Sequence, residues 1–213
     1  MKYSHYLLLA ICILSLDQAT KLLVYHEMFR GEEIQLLGDW LKIHYTVNPG
    51  VAFGVSPDTP WGKIGLTIFR TLAVLLLGAY LAYSYAQRMP KGYLLSITMI
   101  FSGACGNVID SIFYGTFLPN NAVRYPGFLP DEIPFYPWFQ GQVIDMVYFD
   151  LARGVFPEAL PLVGGRAYAF WPIFNVADAS IFVGVTILLL FHRKFFPKEQ
   201  STAAHAPSPT ADR

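Results

Sequence analysis

Asp145 and Asp178 are two acids set in apolar surroundings. Asp145 interrupts the strand-like run Gln142-Val143-Ile144-Asp145-Met146-Val147, and Asp178 ends the segment Phe174-Asn175-Val176-Ala177-Asp178 at the head of a long apolar stretch. Neither has a cation within one helical turn in sequence. Two carboxylates brought together in a partly dry site cannot both ionise easily, so they share one proton. The ionised partner can then act as base on water and the protonated partner as acid, the chemistry of an aspartic protease. Asp150 follows the apolar run and reads as an ordinary surface acid.

Three further polar pairs stand inside apolar stretches. Asp17 and Lys21 are four apart, a spacing that favours an ion pair within a helix. Asn107 and Asp110 are three apart, hence on one helical face, and Asn175 and Asp178 repeat that spacing. Taken singly, each pair has a plain structural reading: Asp17–Lys21 as a helix-stabilising pair, Asn107 and Asn175 as hydrogen-bond glue between helices.

The elements that must position these groups are membrane spans. Of 213 residues, 54% are hydrophobic and only 14% charged, against about 25% charged in a soluble domain. Apolar runs of the length a span requires, about 20 residues, are predicted at about 5–25, 64–86, 93–114 and 171–195. The first includes Asp17, which interrupts the apolar region of any cleaved leader, and no small-residue cleavage site follows it. Arg70, near the start of the second, is placed to snorkel to the interface. Gly103, Cys105 and Gly106 in the third permit close helix approach. Cys12 and Cys105 read as small core residues. The expected fold is an all-α membrane protein of four transmembrane helices with a small extracytoplasmic β element around residues 34–55, where Leu41–Val47 looks like a strand and Asn48-Pro49-Gly50-Val51-Ala52-Phe53-Gly54 like a tight loop. Residues 1–196 form one integral domain, and 197–213 form a polar, disordered cytoplasmic tail.

The distribution of cations orients the spans. Lys2, then Arg88 and Lys91, then Arg193, Lys194 and Lys198 flank the same side, which the positive-inside rule makes cytoplasmic. Both termini are then inside, and the connections 27–63 and 115–170 are outside. At a helical rise of about 1.5 Å per residue, every polar cluster falls roughly 5–12 Å below the outer surface. The cytoplasmic half of the spans is nearly free of ionisable groups, which argues against an ion or proton pathway.

Several function classes are excluded. Lys+Arg and Asp+Glu are both 15, so no basic excess supports nucleic-acid binding. The five histidines are dispersed, the cysteines number two, and neither an H-E-x-x-H nor a G-x-S-x-G motif occurs, so no metal site or serine-hydrolase elbow is expected. An aspartic hydrolase remains, with a non-enzymatic membrane binding or assembly protein as the rival reading.

Five blocks resemble lipoprotein signal peptidase, also called signal peptidase II: Asp17-Gln18-Ala19-Thr20-Lys21, Asn48-Pro49-Gly50-Val51-Ala52-Phe53, Gly106-Asn107-Val108-Ile109-Asp110, Val143-Ile144-Asp145 and Phe174-Asn175-Val176-Ala177-Asp178. They fall in the family's order within residues 5–195. The resemblance implies an aspartic endopeptidase of the bacterial inner membrane, acting as a monomer without a cofactor. Its substrates would be prolipoproteins whose cysteine already carries a diacylglyceryl group, held in contact with membrane lipid. It implies Asp145 and Asp178 as the catalytic pair. Asn48, Gly50, Asn107, Asp110 and Asn175 would orient substrate or dyad, with Asp17 and Lys21 as structural support. Two departures stand out. Ser111 occupies the place after Asp110 where the family often has Arg, so any ion pair made by that Arg is absent or replaced. The segments between Asp110 and Asp145 and between Asp145 and Asp178 are longer than usual, which makes this a variant with long extracytoplasmic insertions.

Overall fold

The computed structural model describes residues 2–50, 59–118, 121, 138–151, 153–161, 163–169 and 173–196. Four long apolar helices run through it: α1 (Tyr3–Glu27), α2 (Pro60–Ala86), α3 (Lys91–Phe117) and α4 (Val176–Phe195), each long and apolar enough to cross a membrane. Their outward faces carry exposed Leu7, Leu8, Ile11 and Leu23 on α1, Leu72, Leu75 and Leu76 on α2, and Phe182, Leu189 and Leu190 on α4. Such a periphery suits lipid, because helices satisfy their own backbone groups and leave only side chains to meet the surroundings.

Helix α3 is the centre of the bundle and packs on α1, α2 and α4. Half of its apolar stretch is buried, against 17% in each of the others. It tolerates interior hydroxyls by bonding them back to its own turns: Ser96 Oγ donates to the Gly92 carbonyl at 2.9 Å and Thr98 Oγ1 to that of Leu94 at 2.7 Å. Its glycines set the approach of neighbours, as expected for Gly103 and Gly106. A Cβ on Gly103 would collide with the Ala177 carbonyl of α4, and one on Gly106 would lie 2.5 Å from Asp17 Oδ2 of α1. Of the cysteines, Cys105 is partly buried but Cys12 is exposed. The core role expected for Cys12 is therefore overturned, because that face of α1 points away from the bundle.

The β element is larger than residues 34–55. Strand β2 (Leu41–Asn48) matches the strand expected at Leu41–Val47 and pairs antiparallel with β1 (Glu33–Leu37), while residues 51–55 lie outside the described ones. A third strand, β3 (Val143–Phe149), joins antiparallel to β2 from the other connection, pairing Thr46 with Asp145 and Asn48 with Val143. A separate two-stranded ribbon, β4 (Arg153–Val155) with β5 (Ala167–Ala169), occupies the second connection. The strand-like run around Asp145 is thus β3, and the β4–β5 ribbon is an addition that the sequence did not indicate. Ile144 and Met146 of β3 enter a cluster with Val24, Met28, Tyr45, Tyr114 and Leu118. Strand alternation therefore turns Val143 and Asp145 to the opposite face.

Two helices start at residues other than those expected. Thr59 caps α2 by accepting the Gly62 N–H at 3.0 Å, with Pro60 in the first turn, so α2 starts four residues before Ile64. Helix α4 starts at Val176, not at Trp171. Trp171 lies outside the described residues, but Phe174 is held in extended geometry by β3: its N–H donates to the Val147 carbonyl at 3.1 Å, and its carbonyl accepts from Val147 at 2.8 Å. This pairing holds Phe174 to the sheet, and the helix begins after it. The described residues stop at Phe196, so the tail 197–213 lies outside them.

Candidate active site

The site grows from two irregularities in backbone. In α3, residues Asp110–Tyr114 form a π-helical turn, a feature frequent at functional sites. A segment of the second connection packs against it, with Gly141 N–H donating to the Ser111 carbonyl at 3.0 Å and Phe139 N–H to that of Ile112 at 3.2 Å. A Cβ at Gly141 would clash with the Asp110 carbonyl, so only glycine lets this chain pass and lead into β3. In α4, Asn175 is the N-cap: its Oδ1 accepts from the Asp178 N–H at 2.9 Å, and Asp178 Oδ2 accepts from the Asn175 N–H at 3.4 Å. This reciprocal cap fixes the Asp178 carboxylate at the first turn. Asn175 is thus a cap preceding the helix, not a helical neighbour of Asp178 as its spacing suggested.

Asn175 joins the two acids. Its Nδ2 donates to Asp145 Oδ1 at 2.7 Å, while its backbone N–H and side-chain oxygen hold Asp178. Asn107 supports the second acid, donating from Nδ2 to Asp178 Oδ1 at 2.8 Å; its own Oδ1 accepts from Asn175 at 3.2 Å and from Lys21 Nζ at 3.1 Å. Asp145 is only 4% exposed. Burial, then the negative charge of Asp178, pushes its carboxyl up to about 7, against the opposing hydrogen bonds of Asn175 and Asn48 and the charge of Lys21.

Behind these groups lies a buried ionic cluster. Lys21 Nζ sits 2.8 Å from Asp17 Oδ2 and 2.7 Å from Asp110 Oδ2, with all three side chains buried. The ion pair expected within α1 is present, and Asp110, followed by Ser111, takes its cation from α1. Ser111 instead bonds back to the Asn107 carbonyl at 2.9 Å. Asp17 also accepts the Ala177 N–H at 2.9 Å, capping α4 from α1.

The structure brings every proposed site residue into one region. Asn48 and Gly50 close it at the end of β2, where Gly50, at φ 98°, donates its N–H to Asn48 Oδ1 at 2.8 Å; residues 51–54 of that loop lie outside the described ones. A cavity of about 400 Å³ opens between α2, α3 and α4, with Asn48, Gly50, Asn107 and Asp178 at its polar end and Val74, Leu77, Ala104 and Ile181 along its walls. Among the described residues no group of three His, Cys, Asp or Glu side chains could hold a metal ion.

Sequence reasoning missed Gln18, gave Arg70 no place in the site and misread Asp150. Gln18 Nε2 donates to Asp17 Oδ2 and Asp110 Oδ1, both at 3.0 Å, and its Oε1 accepts from the Tyr114 hydroxyl at 2.9 Å. Its place between Asp17 and Lys21 was the available signal. Arg70 bonds the Gly50 carbonyl of the first connection at 3.3 Å and lines the same cavity as Asp178. Ten residues after Pro60, it lies about 15 Å along the helix, with Ala73, Val74 and Leu77 on the same face. Asp150 is not a solvated acid: its side chain is 8% exposed and pairs with Lys42 of β2 at 2.8 Å.

Residues 9–194 match the family model described as Signal peptidase (SPase) II. Among similar proteins, the lipoprotein signal peptidase of Amoebophilus asiaticus is 38% identical over 188 residues, 87% of this chain and 76% of that one. That of Porphyromonas gingivalis is 35% identical over 188 residues, 85% and 80% of the two chains, and that of Chlorobaculum tepidum 32% over 195 residues, 91% and 97%. A bacterial membrane enzyme solved by the in meso method at 2.3 Å shares the fold, with a TM-score of 0.62 and 19% identity over 95% of this chain and 96% of that one. With this match over most of its length, the chain belongs to the signal peptidase II family.

Proposed function

We propose that residues 1–196 act as a single membrane peptidase domain in which Asp145 and Asp178 are the catalytic pair. The substrates are prolipoproteins bearing a diacylglyceryl group on the cysteine that becomes the new N-terminus. Membership of a peptidase family sets aside the rival reading of a non-enzymatic assembly protein. The observation that carries the assignment is the joint hold of Asn175 on both acids.

Asp145, whose carboxyl is pushed up to about 7, keeps the shared proton, and Asp178 is the base. Asp178 takes a proton from water as the oxygen attacks the carbonyl carbon preceding the lipid-bearing cysteine. Asp145 gives its proton to the carbonyl oxygen. The tetrahedral diol collapses, the C–N bond breaks, the cysteine nitrogen leaves with the proton held by Asp178, and one diol hydroxyl returns its proton to Asp145 as the new carboxyl group forms. Asn107 and Asn175 keep both carboxylates aimed, while Asp17, Lys21 and Asp110 brace the helices that carry them. The protein acts as a monomer in the bacterial inner membrane with both termini cytoplasmic, so that acyl chains of the substrate stay in lipid while the scissile bond reaches the dyad.

The test is cleavage of one precursor, with and without its diacylglyceryl group, by the purified protein in detergent. Asp145→Asn and Asp178→Asn each abolish turnover and leave the protein folded, and the unlipidated precursor is cut poorly. Normal turnover by either variant overturns the dyad, and equal cleavage of both precursors overturns the lipid requirement. Tags at residues 1 and 213 report the cytoplasm and a tag at Asn120 the opposite side; a cytoplasmic signal at Asn120 overturns the orientation.

A further inference from the structure

Arg70 is a cation facing the reaction chamber with donors to spare. A charged side chain this far along a transmembrane helix is costly and is retained where it has a polar task. Among the described residues it makes one hydrogen bond, from Nη2 to the Gly50 carbonyl, although a guanidinium carries five N–H donors in a fixed plane. Arg70 and Asp178 line the same cavity. The loop is shaped around it. Gly50 has a backbone conformation that disfavours side chains, and a Cβ there would sit 3.0 Å from Arg70 Nη1 and 3.2 Å from Leu66 Cδ2. Asn48 locks that conformation through the Gly50 N–H. One end of the fork is therefore anchored on the loop, and the rest of it borders the space where a peptide would meet Asp178.

A cation tethered by a neutral carbonyl, with spare donors beside the base, matches a peptide backbone oxygen. We propose that Arg70 is a substrate-positioning residue that donates to a backbone carbonyl of the precursor next to the scissile bond. The peptide is thereby held across the cavity between α2 and the dyad. This rests on the dyad reading above. It assigns a task to α2, the only long helix that supplies no residue to the carboxylate network among the described residues.

The test measures affinity of the intact diacylglyceryl-modified precursor for Asp145→Asn protein in detergent, so that binding is read without turnover. Adding Arg70→Gln weakens binding about 10–100-fold, the range expected for a lost hydrogen bond to a charged group. Arg70→Lys, which keeps the charge and one anchor but not the fork, recovers part of the loss. The thermal midpoint of each variant reports the fold separately, and a tether with no substrate contact would leave affinity unmoved. Affinity within threefold of the Asp145→Asn parent in both Arg70 variants overturns the proposal. Cleavage of the precursor by the Asp145→Asn parent itself would instead overturn the dyad.

Discussion

Asp17 of the first helix accepts the backbone N–H of Ala177, at the start of the fourth, over 2.9 Å. One residue later the chain presents Asp178. The bond couples the position of the proposed base to the charge state of α1, because Asp17 is held at the same time by Lys21 at 2.8 Å. A carboxylate at a helix N-terminus is also favoured by the helix dipole. Support and chemistry are thus one connected network, and the following outcomes depend on that.

Lys21→Met removes the cation between Asp17 and Asp110 and leaves two buried carboxylates facing each other. Breaking a buried ion cluster by deleting one partner costs about 3–5 kcal/mol. Unfolding in detergent should show that loss, together with loss of cleavage. Adding Asp110→Asn removes one of the two stranded charges and recovers part of the stability. A double variant no more stable than Lys21→Met would show that the charges are not what Lys21 balances.

The raised carboxyl of Asp145 sets a pH dependence. The folded protein holds that proton up to about pH 7, whereas an unfolded aspartate releases it near 4, at about 3.9. The group's contribution to stability is therefore full below about pH 4 and is lost as pH rises toward 7. Cleavage should fall on the alkaline side as one proton leaves with a midpoint near 7. A rate–pH profile flat from 6 to 9 would remove Asp145 as the acid.

Gly103→Ala tests the contact between α3 and α4. The new methyl meets the Ala177 carbonyl, which is backbone and cannot swing aside. Overpacking of this kind costs about 1–3 kcal/mol, and here it also displaces the turn that carries Asp178. The thermal midpoint and the rate should both fall, while Gly65→Ala, with nothing within 4 Å of its added Cβ, should leave the rate unchanged.

Asp150→Asn separates the sheet from the chemistry. Asp150 raises the pKa of Lys42 by their hydrogen bond and so ties β2 to the end of β3, five residues from Asp145. The substitution should leave cleavage within a few-fold of the parent, measured beside Asp145→Asn. A loss as deep as that of Asp145→Asn would mean that the wrong acid of this segment has been placed in the dyad.

What the sequence determined by itself is the set of parts. Four apolar stretches dictate four membrane helices, since a bilayer admits no other use for runs of that length. Polar groups stranded in such stretches are costly enough to mark a candidate site, which singled out Asp17, Lys21, Asn107, Asp110, Asn175 and Asp178, while Asp145 stood out as an acid inside a strand-like apolar run. The tertiary structure decided their partners. Asp110 finds Lys21 on α1 because α3 packs there through Gly106, a pairing across 89 residues that no local spacing encodes. Phe174 pairs with Val147 and delays the start of α4, because an apolar segment next to a sheet can satisfy its backbone in the sheet as well as in a helix. Arg70 read as an interfacial cation, since sequence gives its depth along a helix but not the face on which a neighbour opens a cavity. Direction within the bundle belongs to packing, and packing placed Arg70 on the cavity that Asp178 also lines.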